Sequence, residues 1–85
     1  MPRYYMHLRL PDGLGLVSDE HGKDFDSLDR AREEAIAGTR SMLGDDVRAG
    51  VLDLRGTVEV VDADGVMVLS LPFADIVQVQ TGDQA

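Results

Sequence analysis

An 85-residue chain of 9.2 kDa without cysteine has room for one small domain spanning residues 1–85 and no disulfide to brace it. Sixteen acidic residues against eight basic ones leave a formal charge of −8, a field that repels phosphate backbones and anionic lipid headgroups and so argues against nucleic acid and membrane surfaces as partners. A hydrophobic content of 44% is enough to build a core, which rules out a wholly disordered acidic tail.

From Arg3 to Leu10 the residues alternate, with Tyr4, Met6, Leu8 and Leu10 on one side and Arg3, Tyr5, His7 and Arg9 on the other, the period of a half-buried strand. Arg3, His7 and Arg9 also interrupt any secretory apolar stretch, so no export signal is expected. Pro11, Asp12 and Gly13 supply a turn before a second strand around Leu14 to Ser18, and the two strands should pair as a hairpin. Asp19 to Gly22 is a further turn, and Lys23 to Phe25 adds a short strand-like piece.

Ser27 can cap a helix because its hydroxyl accepts an orphan backbone N–H, and Asp29 suits the positive end of the helix dipole. Leu28, Ala31, Ala35, Thr39 and Met42 then recur at spacings of three and four, with Ile36 and Leu43 widening the stripe. Small alanines on that face allow close approach to a sheet. Gly44, Asp45 and Asp46 lower helix propensity, but the spacing favours continuation through Val47 to an end at Gly50.

Val51 to Gly56 reads as an apolar connector ending in a turn. Thr57 to Val61 and Val66 to Leu71 are rich in β-branched residues and flank Asp62-Ala63-Asp64-Gly65, a hairpin turn. Pro72 ends the ladder, and the tail after it fits either a helical or an extended spacing, with fraying from Thr81 to Ala85. The longest apolar stretch, Val66 to Ala74, is far too short to span a bilayer, and the composition is that of a cytoplasmic protein.

The order strand, strand, helix, strand, strand predicts a two-layer α+β domain, with one main helix on an antiparallel sheet of about four strands. A single helix covers one sheet face. Both alternating sets of the last strand are apolar, so the other face is expected to meet the carboxy-terminal segment, another subunit or a ligand.

The opening Pro2-Arg3-Tyr4-Tyr5-Met6-His7-Leu8 resembles that of a family of short bacterial proteins of unknown function. The resemblance continues through the Asp19 to Gly22 turn, Leu28 with Ala31-Arg32-Glu33-Glu34-Ala35, the Val58 to Gly65 hairpin and Leu71-Pro72-Phe73. Met6 stands where the family has an aromatic, and methionine fills the same core space. The resemblance implies a small stand-alone α+β domain and brings no catalytic residue, cofactor or partner.

Chemistry-bearing constellations are sparse. Arg3, Tyr5, His7 and Arg9 share one strand face and are the candidate interaction surface; a proton-transfer reading would need a carboxylate such as Asp75 beside His7. Asp19, Glu20, His21, Asp24 and Asp26 include metal-ligand types, but turn chemistry accounts for them and their spacing fits no known loop. Placing Gly65 at the sixth position of an EF-hand loop puts Val60 and Leu71 where carboxylates are required, so that motif fails. Gly13 and Gly15 complete no phosphate-binding fingerprint, and no cofactor is expected. The function indicated is a noncatalytic protein-interaction or regulatory module that self-associates or neutralises a basic partner; the rival is a small-ligand binder or enzyme centred on His7 and Tyr5.

Overall fold

In the computed structural model, which describes residues 2–13 and 15–80, the predicted α+β architecture is present. β1 (Arg3–Leu10) pairs antiparallel with β2 (Gly15–Val17) around the Asp12 and Gly13 turn, both of whose φ angles are positive. Leu14, assigned to the second strand by sequence, lies outside the described residues, as does the expected fraying of 81–85. β3 (Lys23–Asp24) pairs with the start of β1, β4 (Thr57–Asp62) with its whole length, and β5 (Met67–Pro72) with β4. The sheet therefore has five strands rather than about four, the addition being the two-residue β3. Its order is β2-β1-β4-β5, with β3 beside β2 along the outer side of β1.

α1 (Leu28–Arg48) begins where Ser27 Oγ accepts the Arg30 N–H at 3.2 Å. It runs past Gly44 and ends in a Schellman motif: Val51 N–H donates to Asp46 O, Gly50 N–H donates to Val47 O, and Gly50 takes a φ of 96° that an L side chain resists. Ala31, Ala35, Thr39 and Leu43 are its buried residues. A strict spacing of four drifts by about 40° per step on a 3.6-residue helix, so the buried stripe winds around α1. Its later part reaches the one-turn helix α2 (Phe73–Ile76) as well as the sheet: Ala35 and Leu43 share a core with Val58, Val60, Phe73 and Ile76.

Residues opposite one another in antiparallel strands share a face. Tyr4, Met6 and Leu8 of β1, Val58 and Val60 of β4, and Leu69 and Leu71 of β5 thus line the α1 side, with Val58 and Val60 fully buried. A bulge between Val60 and Val61 leaves Val68 as the extra residue on β5, and Val68 packs on the same core as Leu69 and Leu71. This is how the last strand reconciles two apolar sets with one buried face. The opposite, outer face carries Arg3, Tyr5, His7 and Arg9 beside Thr57, Glu59 and Val61, with Ser70 and Met67 at the β5 edge. The expectation that an apolar outer face needs covering is corrected on this point: β1 and β4 present mostly polar side chains there, and the bulge exchanges Val68, which turns inward, for Met67, which is about half exposed. The described part of the carboxy-terminal segment, Val77 to Gln80, lies along the second half of α1 instead of on that face.

Candidate functional site

The four sequence candidates stand in one row on the outer face, and each is held by the protein itself. Arg3 donates from Nε to Asp24 at 3.0 Å and from a terminal nitrogen to the His21 carbonyl at 2.9 Å. Arg9 grips Glu59 across the β1-β4 ladder through two donors at 2.8 and 3.3 Å. The hydrogen bond from Arg9 holds the Glu59 carboxyl below its usual range, and Arg3 does the same to Asp24. Tyr5 lies under the 19–22 turn: a Cβ on Gly22 would fall 2.7 Å from its ring, and Gly22 has a φ of 69°, so both space and backbone require glycine there.

His7 and Asp19 form the most connected pair. β2 and β3 leave a gap on the outer edge of β1, and Asp19 fills it: Oδ2 accepts the Met6 N–H at 3.1 Å, and Oδ1 accepts those of His21 and Gly22. The Asp19 N–H donates to His7 Nδ1 at 2.9 Å. Desolvation pushes the Asp19 carboxyl upward, but the three backbone donors and His7 outweigh it, and the net displacement is downward. The turn chemistry expected of Asp19 is thus present, with an addition that spacing does not reveal: the same side chain caps a strand thirteen residues earlier.

The carboxylates beside His7 are Asp19 and Glu59, whereas Asp75 belongs to α2 on the helix side. One imidazole nitrogen is occupied by a backbone donor, and no group of three His, Asp or Glu among the described residues is arranged to hold a metal.

Apolar surface is instead left open on the helix side. α1 packs over β4, and between it and β1 runs a groove of about 240 Å³ lined by Met6, Leu8, Gly38 and Met42. A second groove, about 370 Å³, lies between the end of α1 and the carboxy-terminal segment, walled by Leu43, Val47, Leu52, Val77 and Val79. Val47, Leu52 and Val79 are each about half exposed. The sequence places Val47 in the helix and Leu52 in an apolar connector without marking either as surface; Val47 lying outside the buried stripe was the available signal. No described helix is long and apolar enough to cross a membrane.

Residues 3–74 match the family model described as Domain of unknown function (DUF6894), and the chain belongs to that family. No curated protein and no solved structure matches it.

Proposed function

We propose that this DUF6894 domain is a noncatalytic protein-interaction module that associates with further copies of itself, acting as one unit in the bacterial cytoplasm. The carrying observation is the apolar surface that one helix leaves uncovered: the Met6, Leu8 and Met42 groove on one flank of α1 and the Val47, Leu52 and Val79 groove at its end. Small soluble domains keep such surface small unless another protein covers it. Association also adds the burial that a chain of this size lacks.

Against catalysis at His7 and Tyr5 stand the engagement of His7 Nδ1 by the Asp19 N–H and the packing of the 19–22 turn over the Tyr5 ring. Arg3, Tyr5, His7 and Arg9 remain a surface a partner can touch, and here the row acts as a rigid, ion-paired back to the sheet. Sedimentation velocity over micromolar concentrations tests the reading. A mass rising toward that of a dimer, with weak binding of an apolar dye, is the expected result. A monomer throughout that binds dye no better than a fully covered domain would remove it.

A further inference from the structure

The two edges of the sheet are built differently. On the β2 and β3 side the strands have three and two residues, and the backbone between them is capped by the Asp19 carboxylate, so little ladder is left to extend. On the other side β5 has six residues, pairs among the described residues only with β4, and has as guards against a neighbour only the Val68 bulge and a terminal proline. It has no lysine or other charge, and its single proline stands at its very end. Gly65 to Ala74 is the longest uncharged run in the chain, bounded by Asp64 and Asp75.

We propose that β5 is the edge through which two copies of this chain join, antiparallel about a two-fold axis, continuing the sheet from one subunit into the other. This rests on the self-association proposed above and gives it a contact separate from the two apolar grooves, none of whose lining residues lies on β5. The occupant follows from charge. The net charge of −8 opposes association of copies, and that opposition is least where the contacting strand adds no charge of its own; β5 is such a strand and has a free edge among the described residues. A two-fold contact brings each strand against itself, which an uncharged strand tolerates and a charged one does not.

Keeping both α1 helices on one side of the joined sheet requires residues of like face to oppose one another. Of the registers that do so we take the one centred on Ser70, the middle of the regular stretch between the bulge and Pro72, which sets Leu69 opposite Leu71 of the second copy. Leu69 and Leu71, half-buried in one subunit, would then extend each core across the axis. Pro72, without an N–H, and the Val68 bulge limit the ladder at its two ends.

Ser70 is exposed on the outer face, so it can be changed without disturbing the subunit. Two variants test the pairing. Ser70→Lys sets two ammonium groups against each other and is expected to weaken dimerisation roughly tenfold or more, with unchanged circular dichroism and melting of the monomer. Ser70→Cys gives an otherwise cysteine-free chain one thiol. Directly opposed residues have Cα atoms about 4.5 to 5.5 Å apart, within disulfide reach, so dissolved oxygen should link it into a covalent dimer faster than it links Ala37→Cys on the exposed side of α1. A wild-type dimer that persists in Ser70→Lys, with Ser70→Cys linking no faster than Ala37→Cys, overturns the β5 contact and leaves self-association standing. A wild-type chain that stays monomeric overturns both.

Discussion

Gly56 precedes β4 and is buried against Phe73, whose N–H donates to the Gly56 carbonyl at 2.9 Å. A methyl group at Gly56 would overlap the Phe73 ring, lying 2.9 Å from two of its carbons and closer still to a third. Phe73 is 3% exposed and sits in the core with Val58 and Ile76, so its ring has little room to retreat. Gly56→Ala should therefore cost roughly 1 to 3 kcal/mol as overpacking. Alanine's smaller unfolded-state entropy returns about 0.4 to 1 kcal/mol, because the backbone there is not left-handed. The net loss, about 1.3 kcal/mol at the middle of those ranges, corresponds to a fall in melting temperature of roughly 5 to 10 °C for a domain of this size. Thermal and urea unfolding of Gly56→Ala, Phe73→Leu and the double variant measure it. Phe73→Leu alone should destabilise, and the double variant should lose less than the sum by about 1 kcal/mol, since the shorter side chain vacates the space the methyl needs. A neutral Gly56→Ala, or strict additivity, would refute the claim that this glycine exists for the ring.

The other glycines and the edge aspartate divide by the same logic. Gly38, in the middle of α1 with open space around its Cβ position, should gain about 1 kcal/mol as alanine, whereas Gly50→Ala, at a φ of 96°, should lose about 1 to 2 kcal/mol in the same melts. Asp19→Ala strips three backbone donors of their acceptor and should cost roughly 1 to 3 kcal/mol, with faster hydrogen exchange at the Met6 amide; Asp19→Asn should fall between, since its amide turns a donor toward one N–H. Acid should destabilise the fold. The carboxyls of Asp19, Asp24 and Glu59 are displaced below their ordinary values, and hydrogen bonds from Arg55 hold Asp53 at about 2. Groups depressed in the folded state stabilise it above their unfolded values and lose that contribution as the pH falls through the folded ones. The urea midpoint should hold near neutrality and drop from about pH 4 downward; a midpoint that rises in that window would show these bonds absent in solution.

What could be read from the chain was whatever is encoded locally. The alternation in β1, the Ser27 cap, the spacing of Ala31, Ala35, Thr39 and Leu43, and the Asp62 to Gly65 turn each state a period or a dihedral preference within a few residues, and the structure repeats them. Continuation of α1 past Gly44 was legible for the same reason, since Gly50 supplies the left-handed stop. Two features needed contacts distant in sequence. One is the bulge at Val68, because the spacing alone does not show that Val68 turns inward beside Leu69 and Leu71 while Met67 stays outside. The other is the reach of Asp19 to Met6, where the sequence shows a turn residue and the fold uses it to close a strand edge. The alternation in β1 puts Arg3, Tyr5, His7 and Arg9 on one face, but Asp24, Asp19 and Glu59, the partners of Arg3, His7 and Arg9, lie up to fifty residues away and do not show in the spacing.

Whether copies meet at the neutral β5 edge or at that charged row can be decided by salt alone. Chains of −8 repel, and raising ionic strength from about 0.01 to 0.15 M shortens the screening length from roughly 30 to 8 Å, removing repulsion between charges farther apart than that. A contact made of backbone bonds and of Leu69 and Leu71 has no attraction of its own to be screened, so its dissociation constant should fall as salt is added. A contact through Arg3 and Arg9 would have to draw them from Asp24 and Glu59 toward acidic groups of the other copy, an attraction that salt weakens. The charge-driven alternative, capture of a basic partner by an acidic domain, weakens with salt for the same reason. Sedimentation equilibrium at the two ionic strengths reads the sign directly: tighter association at the higher one fits the β5 edge, and looser association would move the interface to the row of Arg3, Tyr5, His7 and Arg9.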